Sequence, residues 1–135
     1  MNNNLSLDTY RVIDANLNRL KEGIRVVEDI LRYKQNNKTL AQQLKALRHK
    51  ATPPNSEQLL QYRDSVNDVL RPSTKSEQNR STLRSVVTAN FKRAQESSRV
   101  LEELYKLIDI DTSELYKKIR YDLYTIEKEV MLEEF

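Results

Sequence analysis

Cysteine is absent from the 135 residues. That excludes a disulfide scaffold, a thiol nucleophile and a Cys-ligated zinc or iron–sulfur site. Glycine occurs once and proline three times. β-Hairpins, Rossmann turns and phosphate loops need glycine where the backbone turns sharply, so none of them is expected. Histidine occurs once, as His49. One histidine cannot build a His metal cluster, and a lone His is more often a surface or packing residue than a catalyst. The Walker A, protein-kinase glycine loop, HExxH and GxSxG patterns are all missing. No apolar run approaches about 18 residues, and no charged-then-apolar leader opens the chain. The expectation is therefore no membrane contact and a cytoplasmic setting.

What is present is charge and helical periodicity. The length suits one domain, which at this size buries roughly two-thirds of its unfolded surface. Charged residues make up 32% of the chain, against a usual value of about 25%. The net charge of +3 is unevenly spread. Residues 1–52 are predominantly basic, whereas the last nine carry Glu127, Glu129, Glu133 and Glu134 against Lys128 alone. A basic body can attract anionic ligands. It falls short of the continuous stripe of a nucleic-acid binder, so no nucleic-acid partner is expected.

Pro53, Pro54 and Pro72 divide the chain. Ile13, Leu17, Leu20, Ile24, Val27 and Leu31 recur in steps of three and four, which predicts an amphipathic helix over about 7–35. Ser6 or Asp8 is a candidate cap, and the Asn36-Asn37 pair a candidate stop. A second helix is expected over 39–51, and a short third one after Asn55, carrying Leu59 and Tyr62. Residues 64–80 read as loop. The fourth and fifth helices are expected over 81–108 and 112–132, with Asp111 and Glu114 as a capping box for the fifth. No segment alternates like a strand, so the fold class is all-α.

The halves repeat. ANLNRLKEGIRVVED at 15–29 matches ANFKRAQESSRVLEE at 89–103. At an offset of 74, Asn16, Arg19, Glu22, Arg25 and Glu28 fall on Asn90, Arg93, Glu96, Arg99 and Glu102. The apolar stripe aligns too, Ile13 with Val87 and Leu17 with Phe91. LysAlaLeuArg at 45–48 aligns more loosely with LysLysIleArg at 117–120. The chain then reads as one domain, 1–135: a pseudo-symmetric bundle built from a duplicated helical hairpin. Repeat 1 covers about 7–52, an insertion 53–80, and repeat 2 about 81–132.

The repeated polar residues are spaced by three, so they wind around the helix by about 60° per step. They admit two readings. One is a ladder of surface ion pairs, each worth about 0.2–0.5 kcal/mol. The other is convergence of Asn16, Arg19, Arg25, Asn90, Arg93 and Arg99 on an anion between the hairpins, since arginine's planar fork suits phosphate and carboxylate. Asparagine is a poor helix former, so matching mid-helix asparagines favour a polar task. In the middle segment, Arg63-Asp64 followed by Asp68 could hold Mg²⁺ against a polyphosphate, or form a solvated loop with a local ion pair. Tyr10, Tyr33, Tyr105, Tyr116, Tyr121 and Tyr124 sit at helical spacing and read as core-edge residues.

DANLNRLKEGIRVVED at 14–29, LKALRHK at 44–50, RDSVNDV at 63–69, VVTANFKRAQESSRVLEEL at 86–104 and IRYDLYTIEKE at 119–129 together resemble one family. It is the small helical hydroxymethylpyrimidine phosphate kinase domain, found fused ahead of thiamine phosphate synthase or free-standing. With no synthase barrel in this chain, the free-standing form is implied. The family's loop after Arg-Asp is richer in glycine, and Asn67 and Leu70 stand in those places here.

The resemblance implies ATP-dependent phosphorylation of 4-amino-5-hydroxymethyl-2-methylpyrimidine phosphate to the diphosphate, with Mg²⁺ and ATP required. By matched motif and chemistry, Asp64 and Arg93 are the expected catalytic residues, and Asp64 and Asp68 the metal-binding ones. Asn16, Arg19, Arg25, Arg48, Arg63, Asn90 and Arg99 are expected around the substrate. A homodimer is also compatible. The competing readings are a helical-bundle enzyme acting on a small polycarboxylate, as chorismate mutase does, and a non-enzymatic helical interaction module.

Overall fold

Residues 7–135 are described by a computed structural model. Among the described residues every regular element is helical, so the chain is all-α as its periodicity requires. Helix α1 spans Leu7–Asp29 and buries Tyr10, Ile13, Leu17, Leu20, Ile24 and Val27 along one stripe. Each such aliphatic side chain contributes about 1.5–3 kcal/mol on full burial. Asp8 lies inside the first turn, where a carboxylate faces the positive end of the helix, rather than at the cap. Ser6, the other candidate cap, lies outside the described residues. No described helix is long and apolar enough to cross a membrane.

The helix expected to reach residue 35 changes pitch first. Ile30–Lys34 form a π-helical turn, and the Gln35 N–H donates to the Ile30 carbonyl at 3.0 Å. Asn36 then takes φ 55°, a left-handed conformation that asparagine tolerates better than most residues. Asn37 starts α2 (Lys38–Lys50) by accepting from the Leu40 N–H at 3.1 Å. The asparagine pair therefore ends one helix and opens the next.

The insertion folds back along the start of α1. Helix α3 (Ser56–Leu59) runs into a 3₁₀ turn, Leu60–Tyr62. Leu59 is buried, and Tyr62 stacks on Tyr10 with ring centroids 5.1 Å apart. The segment expected to be loop contains one short helix, α4 (Lys75–Gln78), because Thr74 accepts from the Glu77 N–H.

Helix α5 (Leu83–Tyr105) opens with a capping box of Thr82 and Ser85. Helix α6 (Ile110–Glu134) starts earlier than expected. Its cap is Asp109, which accepts from the Asp111 N–H at 3.2 Å and the Thr112 hydroxyl at 2.6 Å. The Asp111–Glu114 box is therefore not formed, because Asp111 already lies inside the helix.

Helices α1 and α5 form the centre and run antiparallel. Gly23 on α1 lies against α5, where a Cβ would come within 3.0 Å of the Asn90 carbonyl and 3.4 Å of the Ala94 Cβ. Helix α2 packs on α1 and α6 on α5. The repeat read from the sequence recurs as geometry. Arg48 on α2 grips Glu28 on α1 at 2.7 and 3.2 Å. Arg120 on α6 grips Glu102 on α5 at 2.9 and 3.3 Å. Asn16 and Asn90 make the same bond, Nδ2 donating to the carbonyl of Val12 and Val86 at 2.9 and 2.8 Å. Arg25–Asp29 and Arg99–Glu103 are matching surface ion pairs.

Tyrosines buttress the end of the bundle near the insertion. The Tyr105 hydroxyl donates to Asn55 Oδ1 and the Tyr116 hydroxyl to the Ala51 carbonyl, both at 2.7 Å. Tyr10, Tyr105 and Tyr116 are buried, deeper than a core edge. Tyr33, Tyr121 and Tyr124 are exposed, so the expectation of a common core-edge role does not hold for them.

Candidate active site

A cleft of about 570 Å³ opens between α1 and residues 63–68 of the insertion. Two arginines hold its walls together, one from each side. Arg63 reaches back to Asp14 on α1 with a two-pronged bond, Nε to Oδ2 at 2.8 Å and Nη2 to Oδ1 at 2.9 Å. Asp14 is buried, so this carboxylate depends on its partner for compensation. The bond to Asp14 raises the Arg63 pKa above its ordinary value. Arg11 on α1 reaches the other way and donates from Nη2 to the Asp64 carbonyl at 2.7 Å.

The loop beyond these latches is shaped by its aspartates. Asp64 accepts from the Asn67 N–H at 3.1 Å and from Asn67 Nδ2 at 2.7 Å. The Asn67 side chain, then its backbone, holds the Asp64 carboxyl below the usual carboxylate range. Asp68 accepts from the Leu70 N–H at 2.9 Å. Among the described residues only Asn36 has a positive φ outside glycine. Asn67 and Leu70, which stand where the resembling family has glycine, therefore need no left-handed backbone here; both serve as donors to the aspartates.

The α1 wall is mixed. Val12 is 43% exposed and, with Ala15, gives an apolar strip. Asn16, Asn18, Arg19 and Glu22 continue the wall. The cleft gathers the carboxylates Asp8, Asp14, Glu22, Asp64 and Asp68 with the guanidinium groups of Arg11, Arg19 and Arg63. No group of three or more His, Asp or Glu among the described residues sits close enough to cage a metal alone.

Of the expected site residues, the cleft brings together Asn16, Arg19, Arg63, Asp64 and Asp68. It does not include Asn90, Arg93, Arg99, Arg25 or Arg48. The expected convergence of both copies on one anion is thus not what the fold builds. Antiparallel packing puts Asn90 level with Gly23, about two turns beyond Asn16. Arg93 lies exposed on α5, while its repeat partner Arg19 lines the cleft. Arg25 and Arg99 are spent on exposed pairs with Asp29 and Glu103. Arg48 is held by buried Glu28, which raises its pKa. His49 is exposed and stands apart from the cleft.

Three residues were not singled out in the sequence: Arg11, Asp14 and Asn18. A signal existed, namely where the repeat breaks. At the offset of 74 their counterparts are Ser85, Thr88 and Lys92, none of which could make the same latch. Val12, Ala15, Asn16, Arg19 and Glu22 all have like counterparts. The unmatched residues include Arg11 and Asp14, the two on α1 that latch residues 63 and 64.

The ThiD2 family model matches residues 11–129. The chain belongs to the ThiD2 family. Curated relatives of this ThiD2 chain include a thiamine-phosphate synthase of Nostoc punctiforme, 38% identical over 90% of this chain and 35% of that protein. One of Synechocystis is 39% identical over 87% of this chain and 34% of its own length. One of Rhodopirellula baltica is 36% identical over 98% of this chain and 36% of its length. The chain thus spans about a third of the curated relatives it matches. No solved structure matches it.

Proposed function

We propose that this chain acts in thiamine biosynthesis as a kinase that phosphorylates 4-amino-5-hydroxymethyl-2-methylpyrimidine phosphate. A terminal oxygen of the acceptor phosphate attacks the γ-phosphorus of ATP. The bond from the β,γ-bridging oxygen to the γ-phosphorus breaks, ADP leaves, and the pyrimidine diphosphate forms. A phosphate monoester has its second pKa near 6, so the nucleophile is already ionised at neutral pH and no general base is needed. The work left to the protein is positioning and neutralising two crowded anions.

The observation that carries this reading is the latched cleft, which joins three guanidinium groups to two loop aspartates in a ThiD2 family chain. In this cleft Arg19 and the remaining donors of Arg11 would grip phosphate, the task the sequence points to for Arg93. Arg63 would act indirectly, by fixing the loop. Asp64 and Asp68 would hold the magnesium ion of Mg·ATP. Their donor chemistry fits: Mg²⁺ usually takes one or two carboxylates, with water and phosphate oxygens completing its octahedron. The ion would supply charge neutralisation on the transferring phosphoryl group. Five carboxylates in the cleft suit a cation-bridged phosphate better than a bare polycarboxylate. That favours the kinase over a mutase-like reaction, and the cleft itself favours an enzyme over an interaction module.

A coupled assay with the pyrimidine monophosphate, ATP and Mg²⁺ tests the reading. ADP release and a diphosphate ³¹P signal are expected. Asp64→Asn should abolish most of both while preserving the helical circular dichroism. Absence of ADP release above background in the wild type would overturn the kinase assignment.

A further inference from the structure

We infer that Asn16 selects the acceptor by accepting a hydrogen bond from the exocyclic amino group of its pyrimidine ring. The inference rests on the kinase reading above and gives one residue of that site a role other than anion binding. Asn16 is only 6% exposed, in the middle of α1. Its Nδ2 donates to the Val12 carbonyl at 2.9 Å, one turn back on the same helix. That bond fixes the amide plane and commits the nitrogen end to the helix backbone. Among the described residues nothing donates to Oδ1. An amide oxygen carries two acceptor sites; this one is not sealed in the core but opens on the cleft, where water donates to it until a ligand takes that place. Asn16 lines the cleft, so a ligand held there can supply that donor in place of water.

The same geometry argues against phosphate at this position. A carbonyl oxygen repels an anion, and Arg11 and Arg19 offer guanidinium donors elsewhere in the cleft. Val12 and Ala15 flank Asn16 with an apolar strip, against which the face of a flat heteroaromatic ring can lie. A planar ring with an amino group at its edge satisfies both features together. Two substrates of the proposed reaction carry such a ring, the acceptor pyrimidine and the adenine of ATP. The contact belongs to the acceptor, whose phosphate is one methylene from its ring, because Arg19, the phosphate-gripping arginine, lies one turn from Asn16 on the same wall, whereas the phosphates of ATP lie a ribose away from adenine. The second repeat supplies an internal control. Asn90 makes the identical bond to the Val86 carbonyl at 2.8 Å, but it is not part of the cleft.

The test compares kcat/KM for the aminopyrimidine phosphate and its analogue with hydrogen in place of the amino group. A site built around a hydrogen bond rejects a partner that lacks it, so the wild type should prefer the amino compound about 10²-fold or more. Asn16→Leu should bring the two within about tenfold. Asn16→Ala serves if the leucine variant does not fold. Asn90→Leu should leave the preference at the wild-type ratio. A purely structural role for Asn16 would lower both rates together and preserve the ratio, which would overturn the inference. Loss of discrimination between ATP and purine riboside triphosphate, with acceptor discrimination intact, would assign the contact to the nucleotide and overturn it too. Thermal-shift titration with the two acceptors, without ATP, separates this failure from that of the kinase reading. Amino-selective binding that depends on Asn16, with no turnover, would sink the kinase and leave the inference standing. Normal turnover with an unchanged ratio would do the reverse. Neither binding nor turnover in the wild type would end both.

Discussion

Replacing Arg63 with alanine should separate the stability of the bundle from the competence of the cleft. Arg63 makes two aligned bonds to Asp14, at 2.8 and 2.9 Å. Its own side chain is 45% exposed, while that of Asp14 is 6% exposed. A fully buried pair broken on one side costs about 3–5 kcal/mol, because a charge is stranded without water. Here solvent reaches the guanidinium and can reach the stranded carboxylate once the arginine is gone, so the global cost falls to about 1 kcal/mol. For a domain of this size that is a drop in Tm of about 3–5 °C.

The local consequence is larger. Segment 63–68 is tied to α1 by this bond and by Arg11, and losing one tie frees Asp64 and Asp68 to wander. A displacement of about 1 Å in a positioned catalytic group costs about 10²-fold in rate. Arg63→Ala should therefore lose about 10²-fold in kcat/KM, with faster amide exchange confined to residues 63–71. Asp14→Asn should do the same, and the double variant should be little worse than either single one. Turnover within about threefold of wild type, with exchange in 63–71 unchanged, would refute the latch as the device that forms the site.

Arg48→Met leaves Glu28 buried and unpaired at 1% exposure, and calorimetry should record a loss of about 3 kcal/mol with kcat retained in the folded fraction. Gly23→Ala gains helix propensity of about 1 kcal/mol but drives a methyl against the Asn90 carbonyl; chemical denaturation should show a net loss of about 1 kcal/mol. Burial pushes the Tyr105 hydroxyl up to about 12 and raises that of Tyr116 as well. A folded pKa above the unfolded value of about 10 means full stability below pH 10 and loss as pH rises toward 12, at about 1.4 kcal/mol per pH unit per tyrosine. Thermal melts from pH 9 to 12 should fall on that slope, and Tyr116→Phe should flatten it. The unphosphorylated alcohol of the pyrimidine should show far lower turnover than its monophosphate, because it gives the cleft's arginines no anion; equal rates would contradict that.

Much of this molecule is legible without coordinates because helices are local. A stripe at steps of three and four can be buried in only one way, and Ile13 through Leu31 duly face inward. The repeat carries the reading from local to global, since an offset that matches Glu28 with Glu102 also implies two equivalent hairpins. Helix ends are less legible. Whether Asp109 or Asp111 caps α6, and whether α1 finishes through a π turn, depends on how each end meets its neighbour. Asp64, Asp68 and Arg63 were readable as a group because they are close in sequence and sit in a polar segment.

The rest belongs to tertiary structure. Arg19 and Arg93 occupy matching positions in the two repeats, and helical periodicity does not distinguish them. The choice between them follows from where residues 63–68 dock, on α1 beside Arg19 and not beside Arg93. Docking there depends on Arg11 and Asp14 meeting Asp64 and Arg63 across a long stretch of chain. Such contacts leave no periodic trace, because their spacing reflects the path of the backbone and not the pitch of a helix. The sequence by itself determined two equivalent hairpins; residues 63–68 of the insertion, by docking on α1, placed the carboxylate- and arginine-lined cleft on one of them.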